Sequence, residues 1–181
     1  MILETPRLTL RPFLDRDAED VYAYAKDPRV GPAAGWPPHT SVENSLEIIR
    51  TVFAAPTVFA LVDQESGKVI GSAGFVGRHR TELPGLDEEL GYALSPEFWG
   101  RGLMTEAAWE LIRWGFEELG LCTIWCNHYE GNERSRRVIE KCGFHHQFSQ
   151  EETVELMGER RLTHYYALSR KDWAARQAVK Q

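Results

Sequence analysis

The chain has 181 residues, 43% of them apolar and 27% charged, a mix that excludes a disordered or fibrous protein and supports one globular domain over residues 1–181. Twenty-one Lys and Arg against 27 Asp and Glu leave a net charge of −6, which argues against general nucleic-acid binding. No run approaches the ~18 apolar residues of a membrane span, and Met1–Arg7 lacks the basic-then-apolar pattern of a leader, so a cytoplasmic protein with three reduced cysteines is expected.

Leu8, Leu10 and Pro12 alternate with Arg7, Thr9 and Arg11, which predicts a first strand. Asp15 is placed to cap a helix running to about Lys26, where Asp27-Pro28 stops it. Residues 31–39 are proline-rich, carry Trp36 and read as a loop with little helix. Thr40 and Glu43 read as a capping box for a second helix with Val42, Leu46, Ile49 and Phe53 on its apolar face. Strands follow at 57–63 and 69–77, joined by a Gly67 turn, and then at 89–95 after a polar connection containing Pro84-Gly85. Ala108, Leu111, Ile112, Gly115 and Leu119 recur at helical spacing over 105–119, and Gly120 supplies the stop. After a short strand at 123–126, Asn132 caps a helix that buries Val138, Ile139 and Cys142 and ends at Gly143. Two late strands, 144–154 and 162–169, complete an α/β (α+β) chain of seven strands and four helices, for which a mixed sheet flanked by helices is the physical expectation.

No metal site is read from the chain. Cys122 and Cys126 are four residues apart on a strand, roughly 13 Å, too far to share one zinc. Cys142 stands alone, and His145-His146 point to opposite faces of their strand.

The most informative stretch is Ser95-Pro96-Glu97-Phe98-Trp99-Gly100-Arg101-Gly102-Leu103-Met104-Thr105-Glu106-Ala107. Two glycines leave a strand and open a long helix, so free N–H groups and the positive end of the helix dipole make an anion site, to which Arg101 adds a charge. No Gly-Lys-Ser/Thr follows, which excludes a Walker loop, and the third glycine of a dinucleotide fingerprint is missing.

Gly100-Arg101-Gly102 resembles the pyrophosphate loop of the GNAT superfamily of acetyl-CoA-dependent N-acetyltransferases, and the branch it resembles most acetylates the N-termini of ribosomal proteins. The opening Leu3-Glu4-Thr5-Pro6-Arg7-Leu8-Thr9-Leu10-Arg11 is similar to that branch. So are Glu89-Leu90-Gly91-Tyr92 before the loop, and Asn132-Glu133-Arg134-Ser135 ending in Gly143-Phe144. Trp99 and Met104 depart from the usual loop residues, which a backbone cradle tolerates. The Tyr that many members use as general acid falls on Ile139, which cannot donate a proton.

The resemblance implies a mostly antiparallel seven-stranded sheet whose fourth and fifth strands splay apart to admit the pantetheine arm of acetyl-CoA. It implies cofactor contacts from Ala93, Leu94 and Ser95 on the strand edge, from Trp99, Gly100, Arg101, Gly102, Leu103, Met104 and Thr105, and from Asn132 and Ser135. Ser135 is the nearest hydroxyl for the departing thiolate. Glu88, Glu89, Glu152 and Glu155 are candidate bases, with Glu89 taken first, and Trp36 and Tyr22 are candidates for the acceptor groove. One of Arg134, Arg136 and Arg137 could meet the phosphates.

An α-amine of pKa near 8 is about 10% neutral at pH 7, against about 0.04% for lysine, so a site with no evident strong base suits an α-amine. The expected acceptor is therefore the N-terminus of a peptide or ribosomal protein. A small amine such as an amino acid, polyamine or antibiotic stays open as the acceptor, as does a non-catalytic CoA-binding module. The expected partners are acetyl-CoA and the amine, with no nucleic acid and no membrane, in a monomer or homodimer.

Overall fold

The computed structural model describes residues 1–80 and 82–179, within which eight strands form one sheet. They are β1 (Leu3–Glu4), β2 (Leu8–Arg11), β3 (Val58–Asp63), β4 (Val69–Phe75), β5 (Asp87–Leu94), β6 (Thr123–Tyr129), β7 (His145–Val154) and β8 (Glu159–Ser169). The helices are α1 (Ala18–Ala25), α2 (Gly31–Ala34), α3 (Val42–Thr51), α4 (Leu103–Glu117), α5 (Glu133–Cys142) and α6 (Arg170–Val179). The sheet order is β1-β2-β3-β4-β5-β6-β8-β7, and every neighbouring pair is antiparallel except β5–β6. A parallel pair needs a crossover, and α4 provides it.

Alternation along β3 places Phe59 and Leu61 on one face and Ala60 on the other. The first face packs against α4, whose Leu103, Met104, Ala107, Ala108, Leu111 and Ile112 are all buried. Gly115 lets α4 lie close, since a Cβ there would come within 2.8 Å of the Phe75 ring. Val21, Tyr24 and Ala25 of α1 and Ile49 of α3 cover the opposite face over Ala60, Val69 and Ala93.

The expected elements are present with several corrections. The eighth strand is the two-residue β1, too short for alternation to reveal. The segment read as a loop contains the one-turn α2, and the unpredicted α6 follows a Ser169 hydroxyl that accepts from the Asp172 N–H at 3.1 Å. The cap of α3 is Ser41, accepting from Asn44 N–H at 3.0 Å, one residue beyond the expected Thr40/Glu43 box. Asp15 opens a short 3-10 turn ahead of α1, while Asp17 accepts from Leu14 N–H and pairs with Arg11.

The expected splay lies between β5 and β6. They pair only at Asp87↔Thr123, Glu88↔Ile124 and Glu89↔Trp125, then run on to Leu94 and Tyr129 without pairing.

Candidate active site

Past Glu89 the splay becomes a cleft of about 1080 Å³, bounded by β5, the start of α4, α5, the 31–36 segment and the β7–β8 turn. That lies at the top of the roughly 300–1,000 Å³ range of ligand pockets, room for a large ligand.

Strand parity decides which backbone groups face this opening. Val76 N–H donates to the Glu89 carbonyl (3.0 Å) and Ser95 N–H to the Ile70 carbonyl (2.7 Å). Antiparallel pairing alternates, so Glu89, Gly91, Ala93 and Ser95 spend their backbone on β4, whereas Leu90, Tyr92 and Leu94 turn theirs toward β6. Of Ala93, Leu94 and Ser95, only Leu94 therefore offers an edge, and its carbonyl already accepts from Trp99 Nε1 at 2.8 Å. Tyr92 presents both backbone groups beyond the end of the β5–β6 ladder.

Gly100 and Gly102 take φ of +75° and +77°, which only glycine adopts without strain, and lead into α4. Among the described residues, no acceptor is recorded for the backbone N–H groups of Gly100 to Thr105. The side chains of Leu103 and Met104 are buried in the core, so only their backbone faces a ligand. Arg101 corrects the sequence reading: its guanidinium donates to the Glu97 carbonyl (2.9 Å) and lies over the Phe98 ring, outside the cleft. Positive charge comes instead from α5, where Arg134, Arg137 and Lys141 line the cleft at one-turn spacing. Arg134 stacks on Trp99 at 3.8 Å, while Arg136 faces away in ion pairs with Glu133 and Glu140.

Ser135 lines the cleft, and its Oγ lies 2.9 Å from the Tyr92 hydroxyl, beside the buried Cys126 thiol. Burial pushes the Tyr92 phenol well above its usual value and keeps it protonated. Ile139 is buried in the core and leaves that part of α5 without a hydroxyl. Asn132 spends its side chain twice: Oδ1 accepts from Ser135 N–H (3.2 Å), and Nδ2 donates to the Ala33 carbonyl (3.1 Å).

The Asn132–Ala33 bond fastens the 31–36 segment across the opening. The Pro32 carbonyl accepts from the Arg161 guanidinium, and a Cβ on Gly35 would come within 2.5 Å of the Tyr129 hydroxyl. Trp36 then lines the cleft. Tyr22 does not, because it lies half-buried on α1 beneath the Lys26 ammonium.

The four glutamates separate by surroundings. Glu88 turns outward to Gly77 N–H. Glu89 reaches the cleft wall, but both its oxygens are taken by Arg78 (3.3 Å) and Arg80 (3.4 Å), and the Arg80 guanidinium stacks on Tyr165. Glu152 also lines the cleft and accepts from neutral hydroxyls, Tyr165 and Thr163, each at 2.7 Å. Glu155 is exposed at the cleft mouth.

A mixed sheet opened between two parallel strands, with an anion cradle at one end and carboxylates at the other, defines a two-substrate group-transfer cleft. The sequence matches the acetyltransferase (GNAT) domain over residues 7–145, and the chain belongs to this family of N-acetyltransferases, enzymes that use acetyl-CoA. It is 32% identical over 149 residues to the uncharacterized N-acetyltransferase YoaA of Bacillus subtilis, covering 79% of this chain and 82% of that one. It is 27% identical over 184 aligned positions to the ribosomal protein uS5-alanine N-acetyltransferase of Escherichia coli, covering 94% and 92%. A GNAT-family acetyltransferase from Bacillus anthracis has the same fold, with a TM-score of 0.82 at 24% identity over 93% and 98% of the two chains.

Proposed function

We propose that the enzyme acetylates the α-amine of a peptide or protein N-terminus, a ribosomal protein being the acceptor suggested by the uS5-alanine relative. The observation that carries the transfer chemistry in this reading is the Ser135–Tyr92 hydroxyl pair at the open β5 edge. The α-amine acceptor rests on the uS5-alanine relative and on the small demand an α-amine of pKa about 8 makes on a base. In this reading the N–H groups of Gly100 to Thr105 hold the pyrophosphate, while Arg134, Arg137 and Lys141 balance its charge. The Tyr92 and Leu94 edge aligns the pantetheine as an added strand.

Glu152 receives the acceptor ammonium, its carboxylate fixed by the Tyr165 and Thr163 hydroxyls. The ammonium loses one proton to Glu152 or water, and its nitrogen forms the new C–N bond as the C–S bond breaks. The second proton on that nitrogen leaves to cleft water, from which the Tyr92–Ser135 pair is resupplied. Ser135 gives its proton to the thiolate and is reprotonated through Tyr92. A thiol of pKa about 8.5 is a tolerable leaving group, so a weak hydroxyl donor suffices.

The test offers acetyl-CoA with N-terminal peptides, Nα-blocked lysine peptides and polyamines, and reads thiol release and product mass. Glu152→Gln should raise KM for the peptide at least tenfold and leave KM for acetyl-CoA within twofold. Modification of lysine side chains or small amines alone overturns the acceptor class.

A further inference from the structure

The opening segment Thr5-Pro6-Arg7 carries a sequence motif that the transfer chemistry leaves unused. In the fold it crosses to the start of α4. Thr5 Oγ1 and Arg7 N–H donate to Glu106 Oε1 at 2.7 and 2.8 Å. Arg7 Nε and Nη2 reach Glu106 Oε2 at 2.8 and 2.7 Å. The remaining nitrogen, Nη1, donates to the Arg101 carbonyl at 3.0 Å. One planar fork thus ties a carboxylate on α4 to a peptide group inside the glycine loop.

That peptide group is the one between Arg101 and Gly102. Among the described residues no peptide bond is cis, so the Arg101 C=O and the Gly102 N–H point in opposite directions across one plane. Arg7 and Arg101 lie outside the cleft, whereas Gly100 and Gly102 line it. A guanidinium holding the carbonyl outward therefore aims the Gly102 N–H inward. Glycines on both sides of Arg101 give this peptide more torsional freedom than its neighbours have, so an external hold has work to do. The same fork cancels the charge of Glu106, which sits in the first turn of α4 where a bound anion would meet it. Burial pulls the Glu106 carboxyl upward, but Thr5 and Arg7 outweigh it and hold the group below the usual range.

We infer that Arg7 is a positioning residue for the anion cradle: it orients the Arg101–Gly102 peptide toward the pyrophosphate of CoA. The inference rests on the reading above that this loop receives the pyrophosphate. Lysine at position 7 keeps the charge but offers one nitrogen, which cannot span Glu106 and the Arg101 carbonyl together.

Calorimetry with CoA on wild type, Arg7→Lys, Arg7→Met, the double variant Arg7→Met/Glu106→Gln and Gly102→Val tests it, with thermal melts to confirm folding. Arg7→Lys and the double variant should each weaken CoA about tenfold, the scale of one hydrogen bond to a charged group. In turnover, KM for acetyl-CoA rises in step while kcat changes less than threefold. Pantetheine, which has no pyrophosphate, should inhibit wild type and Arg7→Lys equally. CoA affinity within twofold of wild type in Arg7→Lys or in the double variant overturns the inference and leaves Arg7 a charge balancer. Equal weakening of pantetheine and CoA overturns it as a general structural effect. Gly102→Val separates the two layers: unchanged affinity there defeats the pyrophosphate placement itself.

Discussion

The hydroxyl pair at the cleft wall gives a sharp test of proton delivery. Tyr92→Phe keeps the ring and removes one oxygen, and Ser135→Ala keeps the size and removes the other. Their 2.9 Å contact is a single neutral hydrogen bond, so either variant should lose about 0.5–1.5 kcal/mol of stability. For a domain of this length that is a Tm decrease of a few degrees. If Ser135 delivers the proton and Tyr92 restores it, each variant lowers kcat about 10- to 100-fold, or about 1.4–2.7 kcal/mol of barrier. KM for acetyl-CoA should stay within twofold. The double variant should then be no slower than the slower single variant, because a broken relay cannot be broken twice. Thiol release at saturating acetyl-CoA and acceptor measures all three. Wild-type kcat in Ser135→Ala would show that solvent protonates the thiolate, and multiplied losses in the double variant would show two independent roles.

Gly102→Val should fold, since a Cβ there meets nothing nearer than Arg7 Nη2 at 3.8 Å. Its positive φ still costs about 1–2 kcal/mol for an L side chain, seen as a lower Tm, and CoA affinity by calorimetry should fall at least tenfold. Stability should also fall on the acid side. Burial lowers the folded-state values of His39 and His128, so between about pH 6.5 and those lowered values the unfolded chain binds more protons. The folded state is fully favoured above pH 6.5 and loses up to ~1.4 kcal/mol per pH unit per histidine as the pH falls. Denaturant melts of His39→Asn/His128→Asn should show a flatter slope over that window, and an unchanged slope would refute the assignment.

The sequence shows most of this fold because its signals are local. Leu8 and Leu10 alternate, α4 repeats its apolar residues, and Gly67, Gly120 and Gly143 mark turns at positive φ. Single-turn α2 falls below the length at which periodicity speaks, and α6 has only the Ser169/Asp172 cap to announce it. At the site, the glycine loop reads directly, but the direction of Arg101 does not, because it depends on the Glu97 carbonyl and the Phe98 ring. Tyr92 stayed hidden for a related reason: which β5 residues face the gap follows from the β4 register, and that is a fact of pairing. The Arg78 and Arg80 pairing that occupies both Glu89 oxygens comes from a connection whose path no local pattern specifies. Contacts such as Arg7 to Glu106, 99 residues apart, are outside the reach of any window.

The bond from Asn132 to Ala33 joins the start of α5 to the segment that carries Trp36, which the proposed function assigns to acetyl-CoA and to the acceptor respectively. Under that proposal one side chain is shared by two binding sites, and thermodynamic linkage sets the terms of the sharing. Whatever factor a bound acceptor adds to the affinity for acetyl-CoA through this bond, bound acetyl-CoA must add to the affinity for the acceptor. Loss of this amide would show as a lost dependence of each substrate's affinity on the other.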